Sequence, residues 1–224
     1  MIAGRVMPKY VSEHFKSDER ELKQFMDMND QFCNAPTSYR IARAADPVPE
    51  RFVAELAAEV IAALKDPALG ERARLDRVDA LTARAFDLER TARIALGRFW
   101  KGASEADRRE FARLFKAYVL TSYGRRFHMF ADRSFAVIGA RPAQDDVLVE
   151  SRVEGGATPI RLDWRLVATP AGWRVLDVSV EGVSLLLTFR NEFAAVIERS
   201  GGELAGLLDE LRHRVAAEQA QLAG

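Results

Sequence analysis

The chain has 224 residues, 48% of them hydrophobic and 29% charged, with Lys+Arg and Asp+Glu balanced at 33 each. This is an ordinary globular composition, long enough for one substantial core, and the balanced charge gives no sign of a nucleic-acid partner. A single cysteine, Cys33, excludes an intrachain disulfide, and no apolar run reaches the length of about 18 residues that a membrane-spanning helix needs.

Residues 1–45 read as an N-terminal appendage. A helix is expected from about Ser17, with Ser17 as its cap and Leu22, Phe25 and Met26 as a modest stripe; Asn34 to Ser38 then breaks it. The start lacks the basic-then-apolar pattern of a signal peptide, although Ala42-Arg43-Ala44 has the small-residue look of a cleavage site.

The domain proper is read as 46–224. Pro49 suits a first helical turn, and Phe52, Leu56, Ala57, Val60, Ile61 and Leu64 recur at helical spacing. A second helix over roughly 71–84 turns Leu75, Val78 and Leu81 inward. A third runs from Phe86 to Trp100, where the small residues Ala95 and Gly97 admit a close neighbour. Ser104 and Asp107 then form a capping-box-like start. The helix they open carries Phe111, Leu114, Phe115, Tyr118 and Val119 on one face and ends near Gly124.

From about Phe130 the period changes to two. Strands are expected over Ser134–Ala140, Asp145–Val153, Thr158–Ala168 and Trp173–Val180, joined by short turns. In the last strand, strict alternation puts Trp173, Val175, Asp177 and Ser179 on one side and Arg174, Leu176, Val178 and Val180 on the other. Glu181-Gly182 breaks that strand, and a helix is expected from Val183 to Ile197. A final helix uses Leu204, Leu207, Leu208, Leu211 and Val215. The order helices, sheet, helices predicts an α+β domain, with helices packed on one face of a curved four-stranded antiparallel sheet.

No catalytic pattern stands out. His14, His128 and His213 lie in different elements, and no H-E-x-x-H, G-x-S-x-G, phosphate-binding or dinucleotide glycine motif occurs. No cofactor or metal is therefore expected, and no enzyme activity. Asp163 reads as a solvated cross-strand ion pair, and Asp177 as a rim or paired carboxylate. What is abundant is apolar wall.

Four segments carry a resemblance that spans about Pro47 to Leu211. Phe86–Trp100 ends in L-G-x-x-W; Ala103-Ser104 leads to Phe111 and Tyr123; Asp163–Leu166 pairs with Gly172–Val178; Glu181-Gly182-Val183-Ser184 precedes Phe189-Arg190 and Phe193. Together they resemble the MlaC family, also called the toluene-tolerance auxiliary family, of periplasmic lipid-binding proteins. A related branch is associated with hopanoid biosynthesis. The resemblance implies an apolar pocket between helices and sheet. It also implies a phospholipid or hopanoid ligand, a periplasmic location, and exchange with inner- and outer-membrane complexes of an ABC-type transport system.

On that reading the periodicity assigns pocket walls. Phe115, Tyr118 and Val119 come from a helix; Val147, Val149, Ile160, Leu162 and Trp164 from the sheet; Val178, Val180, Leu185 and Leu186 close it. The alternatives are a small α+β enzyme of hydrophobic substrates using Asp177 or Tyr118, and a non-carrier interaction subunit with a solid core.

Overall fold

The computed structural model describes residues 48–127, 133–156 and 158–223. The expected appendage at 1–45, its helix from Ser17 and the Ala42–Ala44 pattern lie outside the described residues.

Among the described residues, five helices precede the sheet: α1 (Pro49–Lys65), α2 (Glu71–Ala85), α3 (Leu88–Leu96), the short α4 (Phe99–Gly102) and α5 (Glu105–Phe127). The strands are β1 (Ser134–Ala143), β2 (Asp146–Glu154), β3 (Ile160–Thr169), β4 (Gly172–Val180) and β5 (Val183–Ser184), and two helices follow, α6 (Leu185–Arg199) and α7 (Leu204–Ala223). The strands form one five-stranded sheet in sequence order, antiparallel throughout. This is the expected α+β architecture with one further, very short strand.

Local chemistry explains most boundaries. Ser104 Oγ accepts the backbone N–H of Asp107 at 3.1 Å, so the expected cap opens α5. The single helix expected over Phe86–Trp100 is instead split. Gly97 ends α3 at φ 56°, ψ −128°, a conformation closed to a helix, and α4 starts afresh beyond it. Glu181 and Gly182 both have positive φ, 51° and 81°, the signature of a type I′ turn. They fold Val183 back onto Val180 and Ser184 onto Ser179, so Val183 and Ser184 are strand and the helix begins only at Leu185.

Two bulges set which side chains share a face. On β1 the register slips between Val137 and Gly139, which squeezes Ile138 out to 57% exposure. On β4, Asp177 pairs Arg165 whereas Val175 pairs Leu166, leaving Leu176 as the extra residue. Strict alternation therefore fails there: Trp173 and Val175 rejoin Val178 and Val180 on one face. That inner face reads Phe135–Val153–Ile160, Val137–Ser151–Leu162–Val180, Val149–Trp164–Val178 and Val147–Leu166–Val175 across the strands.

The apolar residues separate into two cores. Val53 and Leu56 of α1 and Leu81 and Ala85 of α2 pack on the inner face against Val147, Val149, Leu166, Trp173 and Val175. A second core joins α3, α5, α6 and α7. Its centre is the quartet Phe111, Phe115, Phe189 and Phe193, with ring centroids 5.3–5.9 Å apart in stacked and edge-on pairs. The opposite sheet face is polar. Arg161 holds Asp163 at 2.9 Å and Arg165 holds Asp146 at 2.6 Å, and both carboxylates are buried rather than solvated.

Candidate functional site

α1 and β1 face each other across a cleft of about 440 Å3. One wall is Ala54, Ala58 and Ala62, spaced four apart and therefore stacked along one stripe of α1, with Ile61 beside them. The other is Phe135 and Val137 of β1, with Arg133 and Ser134 where the strand begins. The cleft exists because the stripe is alanine. The adjoining α1 side chains, Val53 and Leu56, reach the sheet and bury completely or nearly so, whereas three methyl groups cannot bridge the same gap.

The β1 wall is continuous with the inner sheet face. The Phe135 ring meets Trp164 edge-on at 6.3 Å. Trp164 donates its indole N–H to Ser151 Oγ at 2.9 Å, and that hydroxyl donates to the Leu162 carbonyl at 3.1 Å. Ser151 and the Trp164 indole are thus satisfied within the sheet, which leaves hydrocarbon to present toward the cleft. The lining is mostly apolar and the cleft is open to solvent, with Ala54, Ala58 and Ala62 exposed along its α1 wall.

The expected pocket walls divide between the two cores. Phe115, Tyr118 and Leu186 are buried in the helical core, with Val119 and Leu185 packed against it. Val147 and Val149 belong to the sheet core, with Trp164 and Val178 against it. Ile160, Leu162 and Val180 are half-buried on the same inner face. The cleft itself is lined by other residues, which periodicity passed over. Large apolar residues had defined the α1 stripe, and the signal for the cleft is a repeat of small ones.

Asp177 and Tyr118, the carboxylate and hydroxyl of the enzyme alternative, both hold structure. Asp177 Oδ1 accepts the Leu186 N–H at 3.0 Å and its Oδ2 accepts the Ser184 hydroxyl at 2.5 Å; Ser184 Oγ accepts the Leu187 N–H at 3.0 Å. These bonds satisfy two N–H groups that the start of α6 would otherwise leave unpaired. Burial pushes the Asp177 carboxyl above its usual range, and the Ser184 and Leu186 hydrogen bonds pull it partly back. The Tyr118 hydroxyl accepts from Arg214 Nη1 at 3.2 Å, and the same guanidinium donates to Glu192 and Glu210, tying α5, α6 and α7 together.

Residues 54–213 match the MlaC protein family. The chain belongs to the MlaC family. A solved structure similar to it is that of a phospholipid-binding protein from Ralstonia solanacearum in complex with a phospholipid. The two are 32% identical with a TM-score of 0.69, over 78% of this chain and 98% of that one. The MlaC match begins at Ala54, the first alanine of the cleft wall, and runs into α7.

Within this MlaC chain, two of the motifs that carried the resemblance form structural joints. The glycine of L-G-x-x-W and the arginine of F-R-x-x-F meet: a Cβ placed on Gly97 would lie 3.0 Å from Arg190 Nε. Burial lowers the Arg190 guanidinium from its usual range, and the nearby Arg98 charge adds to this. The E-G-V-S motif is the type I′ turn followed by the α6 cap.

Proposed function

We propose that the chain is a lipid carrier that takes the acyl part of a phospholipid against the inner sheet face through the α1–β1 cleft. The observation that carries this is the cleft itself, an apolar opening whose floor continues through Phe135 onto Trp164 and the rest of that face. Support comes from the MlaC family and from the phospholipid held by the Ralstonia solanacearum protein. Each methylene removed from water contributes about 0.8 kcal/mol, so an acyl chain crosses an aqueous space only when enclosed. The lining we propose keeps the sheet members Val147, Val149, Ile160, Leu162, Trp164, Val178 and Val180 and adds the cleft walls. Phe115, Tyr118, Val119, Leu185 and Leu186 stay in the separate helical core rather than in this lining.

In this reading the protein works in the periplasm and exchanges lipid with membrane complexes of an ABC-type system. It performs no chemistry on its cargo: the two polar groups best suited to it, Asp177 and Tyr118, are held in a helix cap and an interhelical ion cluster. Mass spectrometry of an organic extract of the purified protein is the test, combined with transfer of labelled lipid between vesicles. Phospholipid at about one per chain, and transfer that depends on the protein, are expected. A hopanoid in its place would reassign the cargo, and an empty protein that moves no lipid would sink the carrier reading.

A further inference from the structure

α1 is attached less firmly than the helices around it. α6 is fastened to β4 by the Asp177–Leu186 hydrogen bond, and α7 is tied to α5 and α6 through Arg214. α2 is held at two places. Asp79 meets Lys116 of α5 at 2.8 Å, and just past the last turn of α2 the Asp87 N–H donates to the Val175 carbonyl at 3.0 Å. The polar ties of α1 run within itself or to α2, and none among the described residues reaches the sheet. One of them is the Glu59–Arg84 ion pair at 2.6 Å, which lies at the surface, where such pairs stabilise little. The apolar grip of α1 is one-sided too: Val53 and Leu56 pack on the inner face, whereas Ala54, Ala58 and Ala62 stand off it across the cleft.

The connection to α2 has the features of a hinge. α1 ends at Lys65, and Asp66 turns extended at φ −65°, ψ 110°. Asp66 Oδ1 accepts the Ala68 N–H at 2.9 Å, which shapes the start of the connection. At its far end Gly70 stands in open space, since a Cβ there would meet nothing within 4 Å. The Asp66 carbonyl accepts from Arg74 Nη2 at 3.1 Å, while Arg74 Nε is buried with no hydrogen-bond partner among the described residues. A buried donor without an acceptor favours any arrangement that lets water reach it, so this joint carries a bias toward opening.

We propose that α1 is a lid that swings as a rigid helix about Asp66–Gly70, while α2 stays on the sheet. This rests on the reading that an apolar cargo enters through the α1–β1 cleft. In the empty protein the lid lies closed, with Val53 and Leu56 on the inner face. Cargo taken beneath it replaces those contacts with its own hydrocarbon and holds the lid raised. A helix rises about 1.5 Å per residue, so a rotation of about 20° at Asp66 carries Ala54 about 6 Å away from β1.

Pulsed dipolar EPR on the full chain tests this. Cys33 is the single cysteine, so a Cys33→Ser background allows nitroxides to be placed at Arg51→Cys on α1 and Arg152→Cys on β2, both exposed. A second pair, Arg77→Cys on α2 with Arg152→Cys, reports on the neighbouring helix. On uptake of dansyl-labelled undecanoic acid the α1–β2 distance is expected to lengthen by about 6 Å or more, and the α2–β2 distance to stay unchanged. Kinetics give a reading without labels. Gly70 has φ −67°, which a proline ring fits, so Gly70→Pro is expected to stiffen the joint and slow uptake severalfold. Glu59→Gln removes the surface pair and is expected to speed uptake by up to about fivefold. Uptake with no change in the α1–β2 distance would overturn the lid and leave the carrier intact. Two distances that lengthen together would overturn the hinge at Asp66–Gly70, as would uptake rates that neither variant alters. A native chain that takes up no probe would sink the carrier reading and the lid with it.

Discussion

The carboxylate of Asp177, near the end of β4, accepts the backbone N–H of Leu186 in the first turn of α6 at 3.0 Å. One side chain thus fastens the last full strand to the helix that carries Phe189 and Phe193 into the second core. Asp177→Ala removes this bond and the Ser184 contact, and is expected to cost about 1–2 kcal/mol, or about 2–8 °C in melting temperature for a unit of this size. The pH dependence has a definite sign. The folded carboxyl titrates above the ordinary aspartate range of the unfolded chain, so between the two pKa values the native state binds more protons than the unfolded chain. Stability from this group therefore falls as pH rises through that window. Asp177→Asn keeps the acceptor for Leu186 and lacks the titration. Urea unfolding of both proteins across the acid range checks this: a native-minus-variant stability that stays flat with pH would refute it.

Much of the helical packing was legible because it rests on large residues at fixed spacing. Phe111, Leu114, Phe115 and Tyr118 on α5, and Leu207, Leu208, Leu211 and Val215 on α7, are all buried where periodicity puts them. What the pattern missed turns on single residues. The extra residue Leu176 reverses the phase of β4, and a period-two pattern carries no mark of an inserted residue because both sides of this strand hold apolar side chains. Gly97 ends α3 through a backbone conformation that a smooth apolar stripe conceals. The cleft was least legible of all, since alanines count weakly in any hydrophobic pattern, and what matters at Ala54, Ala58 and Ala62 is the volume they leave empty.

Gly97 is expected to tolerate no side chain. Its φ of 56° with ψ of −128° is strained for any L-residue, at about 1–3 kcal/mol, and a Cβ would press on Arg190 Nε at 3.0 Å. Gly97→Ala should lower the unfolding free energy by that order. Combining it with Arg190→Ala separates the two causes. If backbone strain dominates, the double variant regains almost none of the Gly97→Ala loss; if crowding dominates, the two substitutions show strong favourable coupling in a double-mutant cycle.

Glu110 on α5 accepts from Arg113 on its own helix at 2.9 Å and from Arg212 on α7 at 3.3 Å. Those hydrogen bonds, Arg113 foremost, hold its carboxyl down to about 2. For a depressed acid the stabilisation is present above the unfolded pKa and is lost as pH falls through the folded one, here from the ordinary glutamate range toward about 2. Because Glu110 is half-buried and both arginines are exposed, Glu110→Gln is expected to cost only about 0.2–1 kcal/mol at neutral pH. The penalty should shrink as pH falls toward 2, where the native carboxyl is itself becoming neutral. Equal losses at both pH values would show that packing, not charge, is what the substitution removes.

The division into two cores predicts that stability and lipid capture separate by position. Phe193 is fully enclosed in the aromatic quartet, and Phe193→Ala should cost about 3–5 kcal/mol. Ala58 is exposed on α1 and faces the cleft, so nothing in the native packing depends on its small size. Ala58→Trp adds a ring where the space is open, and is expected to leave the melting temperature within about 2 °C while it blocks the opening to the inner face. Phe135→Ala acts in the other direction: it widens the same opening and removes the ring that meets Trp164, with a modest loss of stability and weakened lipid retention. Lipid loading followed with a fluorescent acyl probe, alongside thermal unfolding, distinguishes the cases. Native-like loading in Ala58→Trp would show that acyl chains reach the sheet by another route, and would move the proposed entrance away from α1.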